Sequence, residues 1–250
     1  VAPYKQPAMT LVRQASAATW VMLAVTPLLC AAGVLLLLSA PHLEPVVNFV
    51  AVCILAYLAG SLSWGYILVN LAMGEDVRDF GSGRTGMSNI LRTAGGRAAA
   101  LVFVLDAGKA VLIVLLARGV AGTVQVEVAA ALLALCGHNW PVYLGFRGGR
   151  GIMPGFGALS VMAPWVAVAG GALFLVVTLS TRILSLGSII GTLAVALVSL
   201  ALTFVLGHDQ LYTLYAFLGG GLIIWQHRDN IRRIANGTER KLGLPGLRNR

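Results

Sequence analysis

The sequence predicts an all-α fold, a polytopic integral membrane helix bundle with about eight transmembrane helices. Of its 250 residues 58% are hydrophobic and only 11% are charged, and the mean hydropathy of +0.86 lies beyond the range of soluble domains. Apolar runs of the roughly 17–25 residues that a bilayer requires recur along the chain. The basic residues fall between those runs. A net charge of +9 and a pI near 10.1 would suggest nucleic acid in a soluble protein. Here the positive-inside rule explains the charge, and no nucleic-acid partner is expected.

In chain order, helical spans are read near 19–39, 46–72, 98–117, 123–143, 166–181, 184–206 and 210–226. The first apolar run is read as a helix that stays, because no small-residue cleavage site follows it. An eighth, near 152–163, begins after the glycines of FRGGRG and stops at Pro164. It is long enough only for a half-length or strongly inclined helix, which requires protein around it instead of lipid. Trp20, Trp140, Trp165 and Trp225 stand near span ends and read as interface anchors. Cys30, Cys53 and Cys136 lie in apolar runs without metal-ligand spacing, so they read as buried free thiols, and no metal site is expected.

With an inside amino terminus, sixteen of the eighteen Lys and Arg residues share one side; only Arg118 falls opposite and only Lys109 within a span. Both termini are therefore expected in the cytoplasm, with Lys5 and Arg13 at one end and seven basic residues after 226 at the other. The chain is read as an amino-terminal segment with the first helix (1–45), a membrane domain (46–240) and a basic tail (241–250).

The most polar loop carries GSGRTGMSN, Gly81 to Asn89. Gly81, Gly83 and Gly86 free the backbone to turn its N–H groups inward, as in an anion-binding nest. Ser82, Ser88, Arg84 and Arg92 surround it with donors. The stretch also satisfies G-x-G-x-x-G and most of a P-loop, with Met87 at the lysine position. Those motifs need a preceding buried strand, and EDVRDF precedes this one. Two readings remain, a polar turn or a phosphate site built from backbone amides.

Other polar segments repeat the chemistry. FRGGRG sets Arg147 and Arg150 around a glycine pair, either a positive-inside turn or a second anion site. In QHRDNIRRIANG, read as a continuation of the last span, His227, Asn230, Ile231 and Ile234 share one face, which is read as buried. His227 is then a satisfied buried histidine or a ligand donor. In SLGS, Ser185 suits helix N-capping, whereas Ser188 lies one turn inside. Asp106 and Lys109, at i and i+3 in an apolar helix, can pair with each other; such a pair is structural or functional.

Assembled in order, these segments resemble the bacterial acyl-phosphate:glycerol-3-phosphate acyltransferase family. Its signatures GSGNxGATN, D-x-x-KG, GH with a following proline, FKGGKGVAT, SLAS and HREN with NG correspond here to GSGRTGMSN, DAGKA, GHNWP, FRGGRGIMP, SLGS and HRDN with NG. The register covers residues from about 50 to 240. The resemblance implies seven helices around a cytoplasm-facing pocket, preceded here by one added helix. It places Ser82, Asn89, Arg92, Arg150, Ser188, His227 and Asn230 in the substrate site, with Gly81, Gly83, Gly86 and Arg147 completing the phosphate loops. Departures are Arg84 for asparagine, Met87-Ser88 for Ala-Thr, arginines for both lysines, and Ile152-Met153-Pro154 for Val-Ala-Thr. Pro154 removes a backbone donor and a hydroxyl.

The implied reaction moves a fatty acyl group from acyl phosphate to the 1-hydroxyl of glycerol 3-phosphate in a bacterial inner membrane, without cofactor or protein nucleophile. The first loop's amides and Ser82 would hold and orient one phosphate, Arg92 and Arg150 would neutralise the phosphates, and Ser188, His227 and Asn230 would orient the glycerol. An upstream enzyme forming acyl phosphate is the implied partner. Alternatives are an organic-phosphate or lipid transporter, and a phosphate-binding paralogue without transfer. No inverted repeat with broken helices supports the transporter.

Overall fold

The computed structural model describes residues 15–39 and 44–242. Lys5, Arg13 and the tail from 243, with Arg248 and Arg250, lie outside the described residues. Among the described residues there are helices and no strand. We number them α1 (Ala17–Ser39, with a π-helical stretch at Val21–Val25), α2 (Pro45–Gly60), α3 (Trp64–Met73), α4 (Met87–Thr93), α5 (Gly96–Ala121) and α6 (Val124–Asn139). There follow α7 (Ile152–Met162), α8 (Pro164–Thr181), α9 (Leu184–Leu206), α10 (Gln210–Gln226) and α11 (Arg228–Ala235).

Among the described residues five helical stretches are long and apolar enough to cross a bilayer: α1, the α2–α3 pair, α5, α8 and α9. The helices α6 and α10 have 16 and 17 residues and α7 has 11, so length and composition single out five candidate crossings and leave the count of eight untested. At 1.5 Å per residue α7 rises about 16 Å. Its end still reaches the far side of the bundle, where the Arg118 guanidinium donates to the Val161 carbonyl at 3.4 Å.

Three sequence expectations change. The span at 46–72 is two helices, interrupted by buried Ser61 and Ser63. The interruption is tolerated because protein satisfies it: Ser61 Oγ donates to the Tyr57 carbonyl at 2.8 Å, and Lys109 Nζ to the Leu62 carbonyl at 2.6 Å. The loop after α3 contains α4, whose entry is Gly86. The last span does not run straight into the cytoplasm, since His227 ends α10 and opens α11.

Small residues let the helices approach. A side chain at Gly60 would strike the Ala134 backbone, and one at Gly157 the Ala107 carbonyl, so α2 meets α6 and α5 meets α7 with backbones in contact. The three cysteines are free but half-buried instead of fully buried. Trp20, Trp165 and Trp225 are exposed, as interface anchors require.

Candidate functional site

The loop from 76 to 89 is held from both ends. Asp76 accepts from the backbone N–H of Arg78 at 2.8 Å and pairs with its guanidinium at 2.7 Å, which reaches on to the Leu144 carbonyl at 2.7 Å. Asn89 closes the loop. Its Nδ2 donates to the carbonyls of Val77, Phe80 and Arg84 at 2.9–3.1 Å, and its Oδ1 accepts from the Ser82 N–H at 2.8 Å. Gly81 and Gly83 adopt φ of +55° and +67°, and a Cβ at Gly81 would strike Asn89 Oδ1. Asn89, expected to bind phosphate, has its amide committed to shaping the loop.

The second loop is pressed onto the end of α6. The N–H groups of Gly148 and Gly149 donate to the carbonyls of Asn139 and His138 at 3.1 and 3.0 Å. A side chain at Gly149 would overlap the His138 ring. A bond of 3.5 Å from Thr85 N–H to the Gly148 carbonyl joins the two loops. Arg150 thereby turns inward, where its Nε donates to the Gln226 carbonyl at 3.3 Å, while Arg147 is exposed. Pro154 sits in the first turn of α7, where no intrahelical N–H bond is required, so the helix accepts it.

These loops, α9 and the start of α11 enclose a small polar pocket of about 50 Å³. Of the expected residues it is lined by Gly86, Arg92, Arg150, Ser188, His227 and Asn230, and also by Arg84, Met87 and Ser88. Gly81, Ser82, Gly83, Asn89 and Arg147 are not on its wall. Ser82 keeps a buried hydroxyl without a partner, beside the loop it helps to close.

The pocket has two chemically different walls. On one, Arg92 Nε is buried without an acceptor, and the first amides of α4 have none within their helix. Burial, then the charge of neighbouring Arg84 and Arg233, lowers the Arg150 guanidinium to about 9, so it stays charged at neutral pH. Burial also lowers Arg84 and Arg92. Like charges crowded into a desolvated place favour an anion.

On the other wall the free atoms are acceptors. His227 Nδ1 lies 2.8 Å from the Ile223 carbonyl, which can only accept. The proton is thus on Nδ1, and Nε2 carries a lone pair. Burial and then the Arg150 charge depress His227 to about 4, which keeps it neutral. Asn230 Oδ1 is buried without a partner, and the Ser188 hydroxyl proton is used on the Leu184 carbonyl at 2.9 Å. His227 and Asn230 are 3% and 4% exposed, as expected, but Ile231 is exposed and does not share their buried face. Ser185 is not an N-cap; it donates to Glu239 at 2.8 Å.

Asp106 and Lys109 do pair, at 2.9 Å, and His138 joins them, its Nδ1 lying 3.2 Å from Lys109 Nζ. Asp106 and His138 reach the pocket from below. Next to the polar pocket lies an apolar cavity of about 460 Å³, and the two share Ile152, Met153, Phe174 and Ser188. His138 and Glu239 were not singled out as site residues from sequence. The signal for the first is a buried pair on α5 that needs a third polar partner, and for the second the one carboxylate after Asp229 in a strongly basic stretch.

The family model described as glycerol-3-phosphate acyltransferase matches residues 50–237, which contain both walls. The chain belongs to the glycerol-3-phosphate acyltransferase family. Among relatives that carry this description, one from Dehalococcoides mccartyi is 40% identical over 209 residues, covering 79% of this chain and 97% of that protein. One from Rubrobacter xylanophilus is 43% identical over 194 residues, covering 78% and 95%. A crystal structure of PlsY (YgiH), an integral membrane glycerol 3-phosphate acyltransferase in its glycerol 3-phosphate form, superposes with a TM-score of 0.72. It is 34% identical and covers 78% of this chain and 96% of that one. Its lysophosphatidic acid form gives a TM-score of 0.69 at 32% identity, covering 78% of this chain and 95% of that one. The helix α1 lies outside the matched residues of this acyltransferase family.

Proposed function

We propose that the protein transfers a fatty acyl group from acyl phosphate to the sn-1 hydroxyl of glycerol 3-phosphate, releasing lysophosphatidic acid and inorganic phosphate. The observation that carries this is the joining of a donor wall, an acceptor wall and an apolar cavity at Ile152, Met153, Phe174 and Ser188. Phosphate oxygens accept hydrogen bonds and suit Arg84, Arg92, Arg150 and the α4 amides. Glycerol hydroxyls donate and suit Ser188, His227 and Asn230. An acyl chain suits the cavity.

The hydroxyl oxygen attacks the acyl carbonyl carbon. A new ester bond forms, the bond from that carbon to the phosphate oxygen breaks, and the hydroxyl proton leaves with the released phosphate. A mixed anhydride is already activated, so the protein contributes alignment and neutralisation of charge. His227 Nε2 adds an acceptor that fixes the direction of the attacking hydroxyl.

The charge pattern supports an amino terminus and tail in the cytoplasm of a bacterial inner membrane, with eight crossings when α6, α7 and α10 are counted. An enzyme that forms acyl phosphate is then the source of the donor. The test is release of phosphate by the full chain in lipid nanodiscs given palmitoyl phosphate. Release that depends on glycerol 3-phosphate and matches lysophosphatidic acid formed establishes the reaction, and Arg92→Ala and Arg150→Ala abolish it. Vesicle uptake of either substrate without product overturns the reading in favour of transport.

A further inference from the structure

After α11 the chain turns at Gly237, with φ of +69°, and folds back so that the Leu242 N–H donates to the Arg182 carbonyl at 2.7 Å. This return carries Glu239 under the acceptor wall, where its side chain is 2% exposed. One oxygen, Oε1, accepts from Asn230 Nδ2 at 2.7 Å and from Ser185 Oγ at 2.8 Å. The other, Oε2, accepts from Arg233 Nε at 2.6 Å. Burial acts to raise the Glu239 carboxyl, but the bonds from Ser185, Arg233 and Asn230 outweigh it and hold the group below its ordinary value.

An ionised carboxylate has no proton to give, so only the NH₂ end of Asn230 can face it. The orientation of that amide is therefore fixed before any ligand arrives. Its Oδ1 is the atom left buried and unpartnered, on a residue that lines the pocket. An oxygen there repels phosphate and attracts a hydroxyl.

We infer that Glu239 is a positioning residue for the acceptor: it locks Asn230 with Oδ1 toward the pocket, so that the site reads a hydroxyl donor of the glycerol moiety. This rests on the transferase reading above. A simple counter-ion for the nearby arginines would act oppositely, because Glu239 also reaches Arg92 and Arg150 electrostatically. Removing such a counter-ion would tighten phosphate binding.

The full chain in nanodiscs is titrated with glycerol 3-phosphate by calorimetry without acyl donor, and KM is measured for both substrates. If the wild-type protein binds glycerol 3-phosphate and makes no product, the transferase reading fails while the binding test on Glu239 still stands. Glu239→Ala is expected to weaken glycerol 3-phosphate about tenfold in Kd and KM while leaving the KM of palmitoyl phosphate within about twofold. Added to Asn230→Ala, it makes binding no worse than Asn230→Ala alone. Asn230→Asp sets two carboxylates together and loses binding; combining it with Glu239→Gln restores a donor at 239 and an acceptor toward the pocket, and binding returns. That exchange preserves side-chain size and carries the test if Glu239→Ala does not fold. Tighter binding in Glu239→Ala, additivity with Asn230→Ala, equal change in both KM values, or a folded exchange pair that stays unable to bind would each overturn the inference.

Discussion

At the scale of single residues the proposed site would work by leaving the right atoms free. His227 presents a lone pair because its Nδ1 proton is spent on the Ile223 carbonyl and because burial and the Arg150 charge keep it neutral. That state has a consequence for stability. The folded value lies near 4 against 6.5 for the free side chain, so the neutral histidine stabilises the fold fully above 6.5. As pH falls from 6.5 toward about 4 the unfolded chain takes up the proton first and stability is lost, with a ceiling of about 3 kcal/mol. The apparent melting temperature of the wild-type protein is therefore expected to drop more between about pH 7.5 and pH 5 than that of His227→Gln. Equal drops would show that His227 is not held neutral. The sequence carried this residue through its register in HRDN. It did not carry the partner of Asn230, because Glu239 is brought beneath α11 by a chain reversal that no periodicity marks.

At the scale of elements the interruption between α2 and α3 explains why α5 carries charge. The run at 46–72 reads as one span from composition, since Ser61 and Ser63 are too few to lower its hydropathy. The break became legible only with Lys109 bonded to the Leu62 carbonyl and paired with Asp106. Lys109→Met leaves that carbonyl without a donor and buried Asp106 with His138, 3.5 Å away, in place of its cation, which costs on the order of 3 kcal/mol. The expected result is a lower melting temperature and poor yield, with partial recovery on adding Asp106→Asn. No recovery would mean that the lysine acts on the Leu62 carbonyl alone. Elements also shape the apolar cavity. Gly171 of α8 lines it, and a Cβ there meets only the Phe156 ring, at an ordinary 3.4 Å. Gly171→Val fills space without distorting backbone, so kcat/KM should shift toward decanoyl over palmitoyl phosphate by about tenfold. An unchanged ratio would place the acyl chain elsewhere.

At the scale of the whole molecule the bundle has two unlike ends. One gathers Arg84, Arg92, Arg150 and Arg233 around the pocket. At the other, the one Lys or Arg among the described residues is Arg118, neutralised by Glu127 at 2.8 Å, with the Tyr212 hydroxyl donating to the same carboxylate at 3.1 Å. The first apolar run belongs to this architecture. Thr19 Oγ1 of α1 donates to Asn70 Oδ1 at 2.6 Å, and Thr26 Oγ1 to Tyr143 Oη at 2.8 Å, so the added helix is fastened beside the loop that carries the site. An uneven charge distribution of this kind favours one orientation, the proposed one in which the pocket faces the cytoplasm. In a background with Cys30, Cys53 and Cys136 replaced by alanine, a membrane-impermeant maleimide added to intact cells should spare Arg147→Cys and Thr238→Cys and label Gln210→Cys. All three positions are exposed, so a difference in labelling reports sidedness and not burial. The reverse pattern would turn the pocket away from the compartment where a soluble glycerol phosphate and a newly made acyl phosphate meet, and would leave the arginines without a substrate to neutralise.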